Sequence, residues 1–218
     1  MTLLYVGDSI YSSMNPKLIT EFFGTFFLLV VISLTGSPAV IGAVLMILVY
    51  AGGHISGAHF NPAVTIALYI LKKISSEEAL KYIGAQLLGG LAAVAVYFFI
   101  RGTYFIVQPT AHTPFLLAFF VEVLFTFLLM RVIMMVAVDP RVKGNHYFGV
   151  AIGAAVFVGA SVAGPISGGA FNPVVGLAPL LFNPSNLFNN LSLVLLYALG
   201  PVLGAALAVV TPDIHKKH

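Results

Sequence analysis

A twelve-residue stretch that occurs twice constrains this chain more than any other feature. The first copy reads Gly53-His54-Ile55-Ser56-Gly57-Ala58-His59-Phe60-Asn61-Pro62-Ala63-Val64. The second reads Gly164-Pro165-Ile166-Ser167-Gly168-Gly169-Ala170-Phe171-Asn172-Pro173-Val174-Val175. Eight of the twelve positions are identical at a constant offset of 111, which marks an internal duplication. Each copy runs from small residues into Asn-Pro and then into an apolar run. Asn is a favoured N-cap and Pro a favoured first helical residue. Each copy is therefore expected to be a loop that turns into a helix at its Asn, over about 61–71 and 172–182. Crossing a bilayer takes roughly 20 residues. These are read as two half-helices whose positive N-termini each carry an asparagine side chain.

The rest of the chain is apolar enough to live in a bilayer. It is 60% hydrophobic and 8% charged, with a mean hydropathy of +1.04, whereas a soluble domain carries about a quarter charged residues. The expected class is an all-α polytopic membrane protein. It has no cysteine, so disulfides are excluded, and no basic segment before an apolar core suggests a cleaved leader. The net charge of +3 is small, and the basic residues sit at span ends. They read as topology signals, not as a nucleic-acid surface.

Six full spans are expected, over about 18–35, 39–53, 79–100, 114–138, 147–163 and 191–210. Residues 1–16 form a lead, 17–212 a single channel domain with repeat halves of about 17–106 and 114–212, and 213–218 a tail. Three spans and a half per repeat invert the second copy, so that the broken helices meet near the midplane. Lys17, Lys72, Lys73, Lys81, Arg141, Lys143, Lys216 and Lys217 then share one side, with Arg101 on the other. That side, with both termini, is expected to be cytoplasmic, and the cell membrane is the expected location. Arg131, late in its span, is expected to snorkel to the same side.

With both Asn-Pro loops placed, the chain resembles the aquaporins, the major intrinsic protein family, over nearly its whole length. The run from His54 to Thr65 is close to the family's first signature. Glu21 in Thr20-Glu21-Phe22-Phe23-Gly24-Thr25 and Glu122 in Val121-Glu122-Val123-Leu124-Phe125-Thr126 resemble its paired buried glutamates. Ala85-Gln86-Leu87-Leu88-Gly89 and Gly200-Pro201-Val202-Leu203-Gly204 resemble its packing motifs. The resemblance implies six spans plus two re-entrant half-helices, a homotetramer, no cofactor, no metal and no catalysis. The second motif departs from the pattern. It reads Asn172-Pro173-Val174, and the family's usual arginine is replaced by Val175. Tonoplast intrinsic proteins look similar at that position, which suggests passage of ammonia or urea beside water.

Asn61 and Asn172 each present an amide donor to a passing oxygen. Two such donors orient a water so that it cannot relay a proton, and the half-helix N-termini repel cations. The other reading of Asn-Pro is a helix cap alone. Irregular backbone at midplane is tolerated where it is buried or lines a cavity, so Gly57, Ala58, His59, Gly168, Gly169 and Ala170 are candidate pore lining. Carrying over the family's four constriction positions gives Ile41, Ala160, Gly169 and Val175. All are apolar, which implies a wide filter that admits solutes larger than water. The glycerol facilitators' Asp and second Arg are replaced by Gly176 and Leu180.

Glu21 and Glu122 are intramembrane acids, which usually face inward and pair. They are read as structural acceptors for the loop N–H groups, the alternative being proton-coupling groups of a carrier. His112, in Pro109-Thr110-Ala111-His112, is either a solvated loop residue or a side chain folded over the filter. Gly24, Gly84, Gly89, Gly153 and Gly204 are expected at close helix approaches. The expected function is a passive channel for water and small neutral solutes (ammonia, urea, glycerol or hydrogen peroxide). A secondary transporter with inverted repeats, or a structural membrane protein, are the alternatives.

Overall fold

The structure, a computed structural model, describes residues 15–212; most of the lead and the 213–218 tail lie outside them. Helix α1 is Pro16–Thr35 and α2 is Pro38–Ser56. The first half-helix α3 is Pro62–Ile70, followed by α4 at Ser76–Arg101. Helix α5, Phe115–Ile133, continues as a π turn over Met134–Val138. Helix α6 is Phe148–Ser167, the second half-helix α7 is Pro173–Phe182, α8 is Pro184–Asn189 and α9 is Leu191–Val210. Among the described residues, six helices are long and apolar enough to cross a membrane.

Two spans overrun their expected ends. Helices α2 and α6 continue past Gly53 and Ala163 to Ser56 and Ser167, and Pro165 is accommodated within the last turn of α6. The stop comes at the next glycine in each repeat. Gly57 and Gly168 sit at φ +86° and +89° and return their N–H groups to the Gly53 and Gly164 carbonyls, 3.1 Å each. That left-handed C-cap is cheap only for glycine. The half-helix α7 stops at Asn183, and the Asn183-Pro184 pair starts α8, with the Asn183 side chain accepting from the Ser185 N–H at 3.2 Å.

The packing follows the duplication. Helix α1 packs on α4 as α5 packs on α9, and α1 on α2 as α5 on α6. The half-helices cross over: α3 packs on α9 of the other repeat and α7 on α4. Consecutive spans alternate in direction, so Pro16, Ile70, Val138 and Val210 end on one face, called proximal here. Thr35, Arg101 and Phe182 end on the distal face. The centre is the α2–α6 crossing, where a Cβ on Gly42 would lie 2.6 Å from the Gly153 carbonyl and one on Gly153 2.5 Å from the Gly42 carbonyl. A Cβ on Gly89 or Gly204 would collide with the Phe22 or Val123 carbonyl in the same way. Small residues let helix backbones approach where lipid offers no hydrophobic drive. Gly84, expected in this group, has open space where its Cβ would stand. At the proximal face Arg131 donates to the Ala208 and Thr211 carbonyls at the end of α9, at 3.5 and 3.3 Å.

Candidate functional site

Each half-helix is capped by its asparagine, and each asparagine also ties the two repeats together. Asn61 Oδ1 accepts from the Ala63 N–H at 2.9 Å, while its Nδ2 donates to the Phe171 carbonyl at 2.8 Å. Asn172 mirrors this, with Oδ1 accepting from the Val174 N–H at 3.0 Å and Nδ2 donating to the Phe60 carbonyl at 2.9 Å. An amide nitrogen carries two hydrogens. One on each asparagine is used between the loops, and one is left over. Both residues line the central cavity.

A buried carboxylate organises each loop. Glu21 accepts from Ser56 Oγ (2.7 Å), the His59 N–H (3.0 Å), the Phe60 N–H (2.7 Å) and Gln86 Nε2 (2.8 Å). Glu122 accepts from Ser167 Oγ (2.7 Å), the Ala170 N–H (3.0 Å) and the Phe171 N–H (2.8 Å). Both carboxylates are fully buried, where an unsatisfied N–H would cost about 1–3 kcal/mol. Ala58 and Gly169 donate to the same serine hydroxyls at 3.1 and 3.2 Å. This bracing holds Ala58, Phe60 and Phe171 at φ +51°, +49° and +49°, a region that non-glycine residues occupy at a cost of about 1–2 kcal/mol.

The sequence reading missed two kinds of partner. Tyr82 and Tyr197 donate their hydroxyls to the Ser56 and Ser167 carbonyls, at 2.9 and 2.6 Å. A signal was present, since each tyrosine stands seven residues before the packing glycine of its repeat, Gly89 or Gly204. The other is Gln86, whose Nε2 bridges Glu21 and Thr65 Oγ1 at 2.8 and 2.9 Å.

One cavity of about 840 Å³ is lined by residues from both faces. Asp139, Lys143 and Asn145 line it proximally, Asn61 and Asn172 at the centre, and Pro38, Phe105 and Gln108 distally. Ile41, Ala160, Gly169 and Val175 all border it, as do Gly57, Ala58, His59, Gly168 and Ala170. His112 does not; it sits in an exposed turn at φ +70°. Pro62, Ala63, Pro173 and Val174 are buried in the half-helix starts and also stay off the cavity. Val174 faces the helix contact, where a Cβ on Gly90 would collide with its Cγ1. The extra bulk of Val174 over Ala63 is thus taken up by a glycine on α4. His59 is 6% exposed, with Nδ1 3.1 Å from Thr65 Oγ1 and its ring against Tyr82.

Six spans, two N-capped half-helices joined tip to tip and a cavity reaching both faces define a multi-pass membrane channel of the inverted-repeat class. Residues 9–211 match the model of the major intrinsic protein family, and the chain belongs to that family. Its members are channels and not enzymes. The chain is 35% identical to aquaporin NIP1-1 of Zea mays, over 87% of its own length and 71% of that protein's. It is 34% identical to nodulin-26 of Glycine max, over 87% and 73%. The aquaglyceroporin of Plasmodium falciparum has the same fold, with a TM-score of 0.78 at 22% identity over 89% of this chain and 93% of that one.

Proposed function

We propose that this passive channel for water and small solutes has a wide, arginine-free constriction at Ile41, Ala160, Gly169 and Val175, and passes small neutral solutes of the ammonia, urea, glycerol or hydrogen peroxide class. The observation that carries this is that all four positions border the cavity and none has a polar side chain. Asn61 and Asn172 orient water at the centre with the amide hydrogen that the loop contacts leave over. Glu21 and Glu122 are structural: three or four internal donors face each carboxylate, which favours a channel over a proton-coupled carrier. Residues 17–212 act as one channel domain within a homotetramer in the cell membrane. The proximal face and both termini are cytoplasmic, in line with the lysines gathered there.

The test is Val175→Arg in proteoliposomes. Val175 stands three residues after Asn172, nearly one helical turn on. Arginine there adds five donors and a fixed charge and fills the space beside Gly169 and Ala160. Water flux is expected to persist while urea or glycerol uptake falls at least tenfold, and ammonia falls less because it is close to water in size. Unchanged solute uptake in folded Val175→Arg channels would remove Val175 from the constriction.

A further inference from the structure

The distal half of the cavity is short of hydrogen-bond donors. The N–H groups of loop residues 168–171 are all consumed internally, by the Gly164 carbonyl, Ser167 Oγ and Glu122. The carbonyls of Gly168, Gly169 and Ala170 have no hydrogen-bond partner among the described residues. With valine at position 175, the constriction offers acceptors and apolar surface only. One lining residue between the asparagines and the distal face carries a side-chain donor, and that is Gln108.

Gln108 is held beside the constriction by its neighbours. Thr110 donates through its N–H to the Ile166 carbonyl at 3.2 Å and through Oγ1 to the Pro165 carbonyl. These bonds pin the 102–114 linker onto the end of α6. The Gln108 carbonyl lies 3.0 Å from where a Cβ on Gly168 would stand, so the linker backbone abuts the loop that carries Gly169. The Gln108 residue itself is exposed.

We propose that Gln108 is a specificity-determining residue, whose side-chain amide donates to the carbonyl of a urea-type solute while the carbonyls of Gly168 and Gly169 accept that solute's N–H groups. Small amides are thereby favoured over equally small solutes that lack one of the two functions. This rests on the wide, arginine-free constriction proposed above.

Proteoliposomes of wild type, Gln108→Leu and Gln108→Asn test it, by stopped-flow urea and water fluxes on the same preparations. Leucine keeps the size and removes the amide. Urea permeability is expected to fall about fivefold, the worth of one modest hydrogen bond, with water permeability held within about twofold. Gln108→Asn, which keeps an amide, is expected to lie between. Urea flux unchanged in Gln108→Leu would overturn the role of Gln108 while leaving the wide constriction standing. Equal falls in urea and water, or Gln108→Asn as impaired as Gln108→Leu, would overturn it too, since both outcomes describe a displaced linker. A wild type that passes water and excludes urea would overturn the constriction reading and this one together.

Discussion

Glu21 and Glu122 each hold their loop with three hydrogen bonds, and Glu21 accepts a fourth from Gln86 on α4. The parts that match are the ones that set backbone shape: the carboxylate, the serine, two consecutive N–H groups and the tyrosine behind the serine carbonyl. The parts that differ lie around that frame. Gln86, Thr65 and His59 form a polar cluster in the first repeat, where the second has Pro201, Gly176 and Ala170. Even the tyrosine is repacked, since a Cβ on Gly176 would collide with Tyr197 Cβ. Backbone geometry tolerates no change because both asparagine tips must meet. Side chains around that frame differ, and at the one differing pair that borders the cavity, His59 and Ala170, the second repeat has no counterpart of the imidazole.

The largest expected effect falls on the matching part. Asn61→Asp and Asn172→Asp each replace the amide that bridges to the other repeat with an acceptor facing a carbonyl. Lost bonding plus a buried, unpaired charge costs about 3–5 kcal/mol. Both variants are expected to lose most of their folded yield in detergent, and any folded fraction to leak protons or cations in liposomes. The two should suffer equally, because the mirrored bonds, at 2.8 and 2.9 Å, are alike. Normal yield and tight liposomes in either variant would break the symmetry argued here.

Next come the carboxylates, where the repeats should differ. Glu122→Gln aims an amide NH₂ at the backbone N–H of Ala170 or Phe171, neither of which can turn away, and is expected to cost about 2–3 kcal/mol. In Glu21→Gln the neighbouring Gln86 can turn its amide over. Gln86 Oε1 is buried without a partner; the flip lets it accept from the new amide, at the cost of moving Nε2 off Thr65 Oγ1 and with the Phe60 N–H still opposed, and the expected cost is about 1–2 kcal/mol. Apparent Tm in detergent orders the pair. Glu21→Gln melting at or below Glu122→Gln would deny Gln86 that role.

How much of this is legible in the sequence depends on what each part is made of. Half-helices α3 and α7 are legible because Asn-Pro is a local signal, and so are the spans, because their hydropathy is local too. The same Asn-Pro signal at Asn183-Pro184 starts a helix of six residues, Pro184–Asn189; the motif alone does not say how many residues follow it as helix. The sequence places the ends of α2 and α6 at Gly53 and Ala163, short of their true ends at Ser56 and Ser167. A glycine in sequence does not reveal whether its φ is positive, so Gly53 and Gly164 look as able to stop a helix as Gly57 and Gly168. The tie between Asn61 and Phe171, or Asn172 and Phe60, is not legible at all. Its acceptors are backbone carbonyls, which every residue has, and only the inverted packing brings them to the opposite asparagine. Gln108 escapes notice for a similar reason: its place beside Gly168 is set by hydrogen bonds of Thr110 to a different helix.

A packing difference gives a smaller contrast. Val174→Ala makes the second motif match the first and leaves a void beside Gly90, with an expected loss of about 1–2 kcal/mol and little change in flux. Gly84→Ala, on the same helix as Gly90 but facing open space, is expected to be neutral or to gain up to about 1 kcal/mol from helix propensity. Apparent Tm checks both. A loss in Gly84→Ala comparable with that in Val174→Ala would mean that helix α4 is covered where it is open in this structure.

The smallest expected effect is the most informative about where discrimination lies. His59→Ala gives the first repeat the residue that the second has at Ala170. It removes the 3.1 Å contact with Thr65 Oγ1, but Thr65 keeps Gln86 and the Asn61 carbonyl at 2.9 and 3.1 Å, so the cost is about 1 kcal/mol. The passage on the proximal side of the asparagines becomes wider and loses the imidazole, while Asp139, Lys143 and Asn145 stay at its mouth. If solutes are sorted at Ile41, Ala160, Gly169 and Val175, widening a passage upstream of them leaves the order of permeabilities alone. The urea-to-water ratio of His59→Ala is therefore expected to stay within about twofold of wild type. A shift as large as that of Val175→Arg would place the discriminating contact on the proximal side of the asparagines, in the half that kept its polar side chains.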